Sequence, residues 1–211
     1  MQKIVIFDMD GTLIDSKKDI TISINYVRKT NHNLPPLDEK FVVKAINMYE
    51  RNLPQLFYTT ECYEPEDKHL FEQHYKKQCV QHSYLYDGIF EMLHTLHDNG
   101  VSMGVATNAP TLFAKTMLQH LHVSSMFKLI VGADKVTTSK PDPEMLEKIL
   151  QVCEYKSDED KAWMVGDNSK DIESGKNAGI DTLFATWGFS PLGEYEKVVS
   201  TPKEVVEIIL A

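Results

Sequence analysis

Apolar positions along the chain follow two rhythms, helical spacing over residues 16–82 and short apolar runs alternating with helical stretches after residue 87. The chain opens on Lys3-Ile4-Val5-Ile6-Phe7, a β-favouring run that predicts a buried strand. A helix is expected from Ser16 to Thr30, where Ile20, Ile24 and Val27 recur on one face and Ser16 stands at the N-cap position. Asn33-Leu34-Pro35-Pro36 breaks it. A second helix is predicted from Leu37 or Asp38 to about Met48, with Phe41, Val42, Ala45 and Ile46 apolar, and a third from roughly Glu66 to Gln81. No run between residues 16 and 82 reads as a strand.

After Asp87-Gly88 the texture changes. Helices are expected over Ile89–Asp98, from Pro110 to about His120, and over Pro143–Cys153, Ser169–Ala178 and Pro202–Leu210. Strands are expected over Val101–Thr107, Lys128–Val131, Ala162–Val165 and Thr182–Ala185. Strands alternating with helices predict an α/β fold, a doubly wound parallel sheet whose ligands bind beyond the carboxyl ends of its strands. The helical stretch interrupts that pattern, so residues 16–82 are expected to form an inserted helical domain and residues 1–15 with 83–211 a second one. The Phe, Leu and Met positions of the helices at 89–98 and 110–121 read as core stripes. The sequence-paired His94 with His97 and His120 with His122 read as helix-surface residues.

Composition narrows the class. The 211 residues suffice for one good core and a smaller unit, and 42% hydrophobic with 25% charged residues is the balance of a folded globular chain. No run of 18 apolar residues is present to span a membrane, and the N-terminus lacks the pattern of a secretion signal. Cys62, Cys79 and Cys153 are odd in number and without CxxC spacing, which reads as reduced thiols in a cytoplasmic protein. A net charge of −9 argues against nucleic-acid binding. Residues 16–82 hold 10 Lys/Arg against 9 Asp/Glu, the remainder 12 against 22. Chance on two solvated surfaces explains that, as does a near-neutral segment covering a site for an anionic substrate.

Four predicted strand or loop ends then concentrate chemistry. The first strand ends in Asp8-Met9-Asp10, whose carboxylates point to one side and repel, a tension that a divalent cation or a shared proton relieves. Gly11 permits a sharp exit. The second strand ends in Thr107-Asn108, a later loop carries Ser139-Lys140-Pro141, and the fourth strand ends in Gly166-Asp167 with Asp171 following. Singly these are a polar turn, a helix cap, a surface lysine and helix-start acids. A parallel sheet gathers them on one edge.

In this order the motifs resemble those of haloacid-dehalogenase-superfamily phosphohydrolases over nearly the whole chain: Asp8-Met9-Asp10-Gly11-Thr12-Leu13 for DxDGT, Thr107, Lys140, and Gly166-Asp167 with Asp171 for GDxxxD. The resemblance implies a Rossmann-like core with a helical cap, and a small phosphorylated metabolite as substrate of a monomer or homodimer. Asp8 would attack phosphorus to give an aspartyl-phosphate, and Asp10 would protonate the leaving oxygen and then activate water. Asp8, the main-chain oxygen of Asp10 and Asp167 would hold Mg2+, which prefers hard oxygen ligands. Thr107, a main-chain N–H near Asn108, and Lys140 would hold the phosphoryl oxygens. Asp171 would orient Lys140 or a metal-bound water.

Asp10 argues against a dehalogenase, whose leaving group needs no proton. Ile20 stands where hexose-phosphate mutases of this superfamily carry a cap histidine. The chain is most similar to phosphoglycolate phosphatases, through Asp15-Ser16-Lys17-Lys18-Asp19 with Asn25, Val105-Ala106-Thr107-Asn108, Lys140-Pro141, Val165-Gly166-Asp167 and Thr186-Trp187-Gly188. It departs from them at Asn47-Met48-Tyr49-Glu50-Arg51-Asn52, where they carry a glycine-rich cap loop, and at Ala109, where they often carry lysine. Lys44 or Arg51 is expected to contact the non-transferred part of the substrate, with Tyr49 shaping the pocket; solvated basic residues on a helix are the alternative. A phosphomutase or pyrophosphatase of the same fold, and a non-catalytic regulatory protein, are the competing functions.

Overall fold

The computed structural model describes residues 1–49, 51–190 and 195–211; Glu50, part of the departing loop, lies outside them. In chain order the elements are β1 (Lys3–Phe7), β2 (Ile14–Asp15), α1 (Lys17–His32), α2 (Glu39–Asn47), α3 (Leu53–Tyr58), α4 (Pro65–Gln78) and β3 (Tyr84–Leu85). They continue with α5 (Ile89–Asp98), β4 (Ser102–Thr107), α6 (Thr111–His120), β5 (Phe127–Gly132) and α7 (Glu144–Val152). The last are β6 (Lys161–Gly166), α8 (Ser169–Asn177), β7 (Asp181–Ala185), β8 (Val198–Val199) and α9 (Pro202–Leu210). Two compact units result, Met1–Ile14 with Leu85–Ala211, and Asp15–Tyr84. β2 and β3 pair with each other, and the unit boundaries fall inside them.

The larger unit is the expected α/β fold. Its six strands run in the order β5-β4-β1-β6-β7-β8, every pairing parallel. Alternation along β1 puts Ile4 and Ile6 in one core with Met145, Leu146 and Ile149 of α7 and Met164 of β6, and sends the fully buried Val5 and Phe7 to the opposite face. α5 and α9 pack against each other. Two members of the expected stripes face solvent instead, Phe90 at 45% and Leu112 at 56% exposure. Leu112 sits off the arc of Phe113, Ala114 and Met117, and Phe90 tilts against His94 one turn on, ring centres 4.4 Å apart. At the start of α6, Pro110 occupies the N-cap position with no side chain to cap. Asp134, from the turn after β5, takes over by accepting from the Thr111 N–H at 2.6 Å and hydroxyl at 2.7 Å.

The smaller unit contains helices and the linker residues Asp15 and Tyr84. α1 packs on α4, α2 and α3 around Ile24, Val27, Val42, Ala45, Phe57 and Tyr58. Asn25 grips the start of the second helix's approach, donating to the Leu37 carbonyl at 2.9 Å and accepting from its N–H at 2.8 Å. Buried Arg28 donates to the carbonyls of Pro35 and Phe57. Asp19, fully buried, accepts from Gln78 Nε2 (2.8 Å), the His82 N–H (2.8 Å), His82 Nδ1 (2.7 Å) and the Ser83 hydroxyl (3.1 Å). It thereby fastens the chain leaving the unit to the helix that entered it.

Burial pushes the Asp19 carboxyl up, and the hydrogen bonds from Gln78, His82 and Ser83 outweigh it, so its pKa is lowered. A lowered folded-state pKa contributes stability that is complete above the unfolded value and fades as pH falls through the folded one. Asp19→Asn turns an N–H2 toward these donors and is expected to cost about 1–3 kcal/mol at neutral pH. The gap to wild type is expected to close below about pH 4, and thermal melts across that range measure it.

Candidate active site

Parallel pairing sets the site. Phe7 is level with Val105 of β4 and Val165 of β6, so Asp8, Thr107 and Asp167 emerge at one edge. The Asp8 N–H donates to the Val165 carbonyl at 2.9 Å, carrying the strand register one residue beyond β1. The chain then turns on itself, with the Leu13 and Ile14 N–H groups both donating to the Met9 carbonyl at 2.9 Å. Gly11 makes the turn at φ 94°, where a Cβ would also sit 2.7 Å from both Asp167 oxygens.

Lys140, 4% exposed, is the central cation. Its Nζ donates to Asp8 Oδ1 at 2.7 Å, to the Ala106 carbonyl at 2.7 Å and to Asp171 Oδ1 at 2.6 Å, which engages all three ammonium hydrogens. The backbone of Lys140 is held by Asn108, whose Oδ1 accepts from the Lys140 N–H and whose Nδ2 donates to its carbonyl, both at 3.1 Å. The Asn108 side chain is therefore committed to placing the lysine, and only its main chain remains for a phosphoryl group. Thr107, 1% exposed, accepts from the Ala109 N–H through Oγ1 at 3.1 Å, which leaves its hydroxyl hydrogen to donate.

Both Asp171 oxygens are engaged, Oδ1 by Lys140 and Oδ2 by the Asn168 N–H at 3.0 Å. The second bond is half of a capping box with Asn168 that starts α8. Asp167, 1% exposed, accepts from the Thr12 hydroxyl on Oδ1 at 3.1 Å and from the Phe189 and Ser190 N–H groups on Oδ2 at 2.7 and 3.1 Å. The second oxygen of Asp8, Oδ2, meets the Thr12 hydroxyl at 3.5 Å.

Oxygens of Asp8, Asp167 and Asp171 lie within 4.8 Å of one another. Burial drives the Asp8 carboxyl up, Lys140 pulls it down, Asp171 and Asp167 push it up again, and the balance is well above the ordinary value. Burial and then Asp171 push Asp167 to about 7 against the pull of its three hydrogen bonds. Burial opposes the charge on Lys140, but Asp171 and Asp8 outweigh it and raise its pKa. Three hard carboxylates around one ammonium form a donor set suited to a small divalent cation.

Six of the residues singled out in the sequence thus meet at this edge: Asp8, Thr107, Asn108, Lys140, Asp167 and Asp171. Asp10 bridges to Ile14 through its main chain, and its carboxyl is outside the close group of three. Lys44, Tyr49 and Arg51 belong to the helical unit; Lys44 and Tyr49 are exposed, and half-buried Arg51 lies near Tyr63 with its guanidinium pKa lowered by burial. Four further groups complete the site without having stood out in the sequence: the Ala106 carbonyl, the Thr12 hydroxyl, and the Phe189 and Ser190 amides. Of these only Thr12, inside a recognised motif, carried a signal.

The family model for haloacid dehalogenase-like hydrolases matches residues 5–185. An N-acetylmuramic acid 6-phosphate phosphatase of Pseudomonas aeruginosa is 33% identical, covering 98% of this chain and 94% of its own. A phosphoglycolate phosphatase of Aquifex aeolicus is 32% identical over 98% of this chain and 96% of its own. The solved structure of a haloacid dehalogenase-like family hydrolase from Streptococcus pneumoniae superposes with a TM-score of 0.81 at 24% identity, covering 98% of each chain, and shares the fold. The chain belongs to the haloacid dehalogenase-like hydrolases and is a hydrolase of phosphoric monoesters.

Proposed function

We propose that the protein is a Mg2+-dependent phosphatase that passes the phosphoryl group of a small monoester through Asp8 to water. The observation that carries this is the buried Asp8 carboxylate, fixed on one oxygen by Lys140 and beside Asp167 at the strand edge. Asp8 forms a bond to phosphorus as the bond to the leaving oxygen breaks, and Asp10 gives that oxygen its proton. Asp10 then takes a proton from water as the water displaces the Asp8 carboxylate, releasing inorganic phosphate. The Thr107 hydroxyl and the main-chain N–H at Asn108 hold the phosphoryl oxygens. Lys140 orients Asp8 and lends its charge, and Asp171 orients Lys140. Asp8, the Asp10 main-chain oxygen and Asp167 are the ligands assigned to Mg2+, which when bound offsets the negative charge of the phosphoryl group. The supporting test is hydrolysis of p-nitrophenyl phosphate, dependent on Mg2+ and lost on chelation; conversion of a hexose 1-phosphate to its 6-phosphate would instead favour a mutase.

The substrate we assign is a phosphorylated small acid, handled in the cytoplasm by a monomer or homodimer. Phosphoglycolate and N-acetylmuramic acid 6-phosphate, named for the two relatives, are both monoesters that also bear a carboxylate. The helical unit offers Lys44, Tyr49 and Arg51 for that part of the molecule, with Arg51 able to grip a carboxylate bidentately. Arg51→Ala is expected to raise KM for phosphoglycolate about tenfold, with p-nitrophenyl phosphate unaffected. Unchanged kinetics across a panel of acidic and neutral monoesters would remove Arg51 from substrate recognition.

A further inference from the structure

We propose that Trp187, the backbone of residues 188–190 and the Thr12 hydroxyl form a clamp that fixes the Asp167 carboxylate and thereby sets the affinity of the site for its divalent cation. The proposal rests on the reading of the site as Mg2+-binding.

Asp167 is held by two arms distant in sequence. On one, the consecutive Phe189 and Ser190 amides donate to Oδ2; on the other, the Thr12 hydroxyl donates to Oδ1. Two backbone amides on one oxygen and a hydroxyl on the other leave the carboxylate little freedom to rotate. The arms are tied together by Trp187, whose indole N–H donates to the Thr12 carbonyl at 2.9 Å. Between them passes Gly188, where a Cβ would lie 2.3 Å from the Gly11 carbonyl oxygen and 2.4 Å from Asp167 Cβ. The crossing is thus as close as backbone allows. The Ser190 hydroxyl also accepts from Asn168 Nδ2 at 2.9 Å, which fastens the second arm to the start of α8.

None of these groups itself gives or takes a proton or a phosphoryl group in the reaction, and of them Thr12 alone also meets Asp8, at 3.5 Å from Oδ2, so Trp187 isolates the hold on Asp167. Their joint effect is to hold one ligand in place before a cation arrives, so that binding does not have to order it. Trp187 is a positioning residue. Its loss should appear in metal affinity before it appears in the rate at saturating metal.

The test is calorimetric titration of the substrate-free protein with Mg2+, for wild type, Trp187→Phe, Thr12→Val and Thr12→Ser, alongside melting temperatures and turnover at saturating Mg2+. Trp187→Phe and Thr12→Val are expected to bind Mg2+ about tenfold more weakly, the lower end of the effect of groups that hold a ligand from behind. Thr12→Ser, which keeps the hydroxyl, is expected to bind within about threefold of wild type. A purely structural role would lower the melting temperature and leave the affinity of the folded protein unchanged. Should Thr12→Val fail to fold, Trp187→Phe decides alone. Wild-type binding that Trp187→Phe leaves intact overturns the clamp. A wild-type protein that binds no Mg2+ overturns the metal reading, and the clamp with it.

Discussion

Asp8→Asn is expected to abolish hydrolysis of p-nitrophenyl phosphate, by at least about 10^4-fold, while the protein stays folded. The amide is isosteric with the carboxylate and keeps an oxygen that can accept from Lys140, but it cannot serve as the nucleophile. Stability should not suffer. Burial holds the Asp8 carboxyl well above its ordinary pKa despite Lys140, and Asp171 and Asp167 add repulsion, so a neutral group of the same shape relieves strain in the metal-free protein. Lys140 keeps Asp171 at 2.6 Å and the Ala106 carbonyl at 2.7 Å. Phosphate-release assays and a thermal melt of the same preparation make the measurement. An inactive variant that melts at or above the wild-type temperature supports Asp8 as the nucleophile. Activity within about a hundredfold of wild type would place the attacking group elsewhere.

What was legible in the sequence is what elementary periodicity and strand-end chemistry control. The apolar, β-favouring run Ile4 to Phe7 predicts a strand, and parallel pairing around it follows from the alternation of strands and helices. The grouping was legible because Asp8 and Asp167 stand just beyond the ends of β1 and β6, Asp171 lies in the first turn of the helix that follows β6, and Lys140 belongs to the Ser139-Lys140-Pro141 loop before α7. β8 was not, since two residues, Val198 and Val199, carry no period. Neither was the six-residue α3, whose start rests on Asn52 accepting from the Gln55 N–H. Boundaries moved where a cap came from far away: in the sequence Pro110 opens the helix, yet the helix starts at Thr111 and Asp134 caps it. The same limit hid the true work of Asn108, whose side chain grips the Lys140 backbone from 32 residues away. It also hid the amides of Phe189 and Ser190, because backbone donors have no sequence signature.

Lys140→Met is expected to have the largest effect on stability, a loss of about 3–5 kcal/mol, together with a fall in turnover of about 10^3-fold. Methionine fills a similar volume, so packing is largely kept and the change isolates the charge. Its removal leaves the buried Asp8 and Asp171 carboxylates without the ammonium they share at 2.7 and 2.6 Å, and strands the Ala106 carbonyl as well. Lys140→Arg should rescue little, since a planar guanidinium does not reproduce three donors converging from one nitrogen. Metal is the more telling supplement. With the ammonium gone, Asp8, Asp167 and Asp171 form a more negative site for Mg2+, and a cation bound only by the folded state stabilises it by mass action. The rise in melting temperature on adding Mg2+ should therefore be greater in Lys140→Met than in wild type. Equal rises in both proteins would mean that the cation does not draw on the carboxylates that Lys140 neutralises.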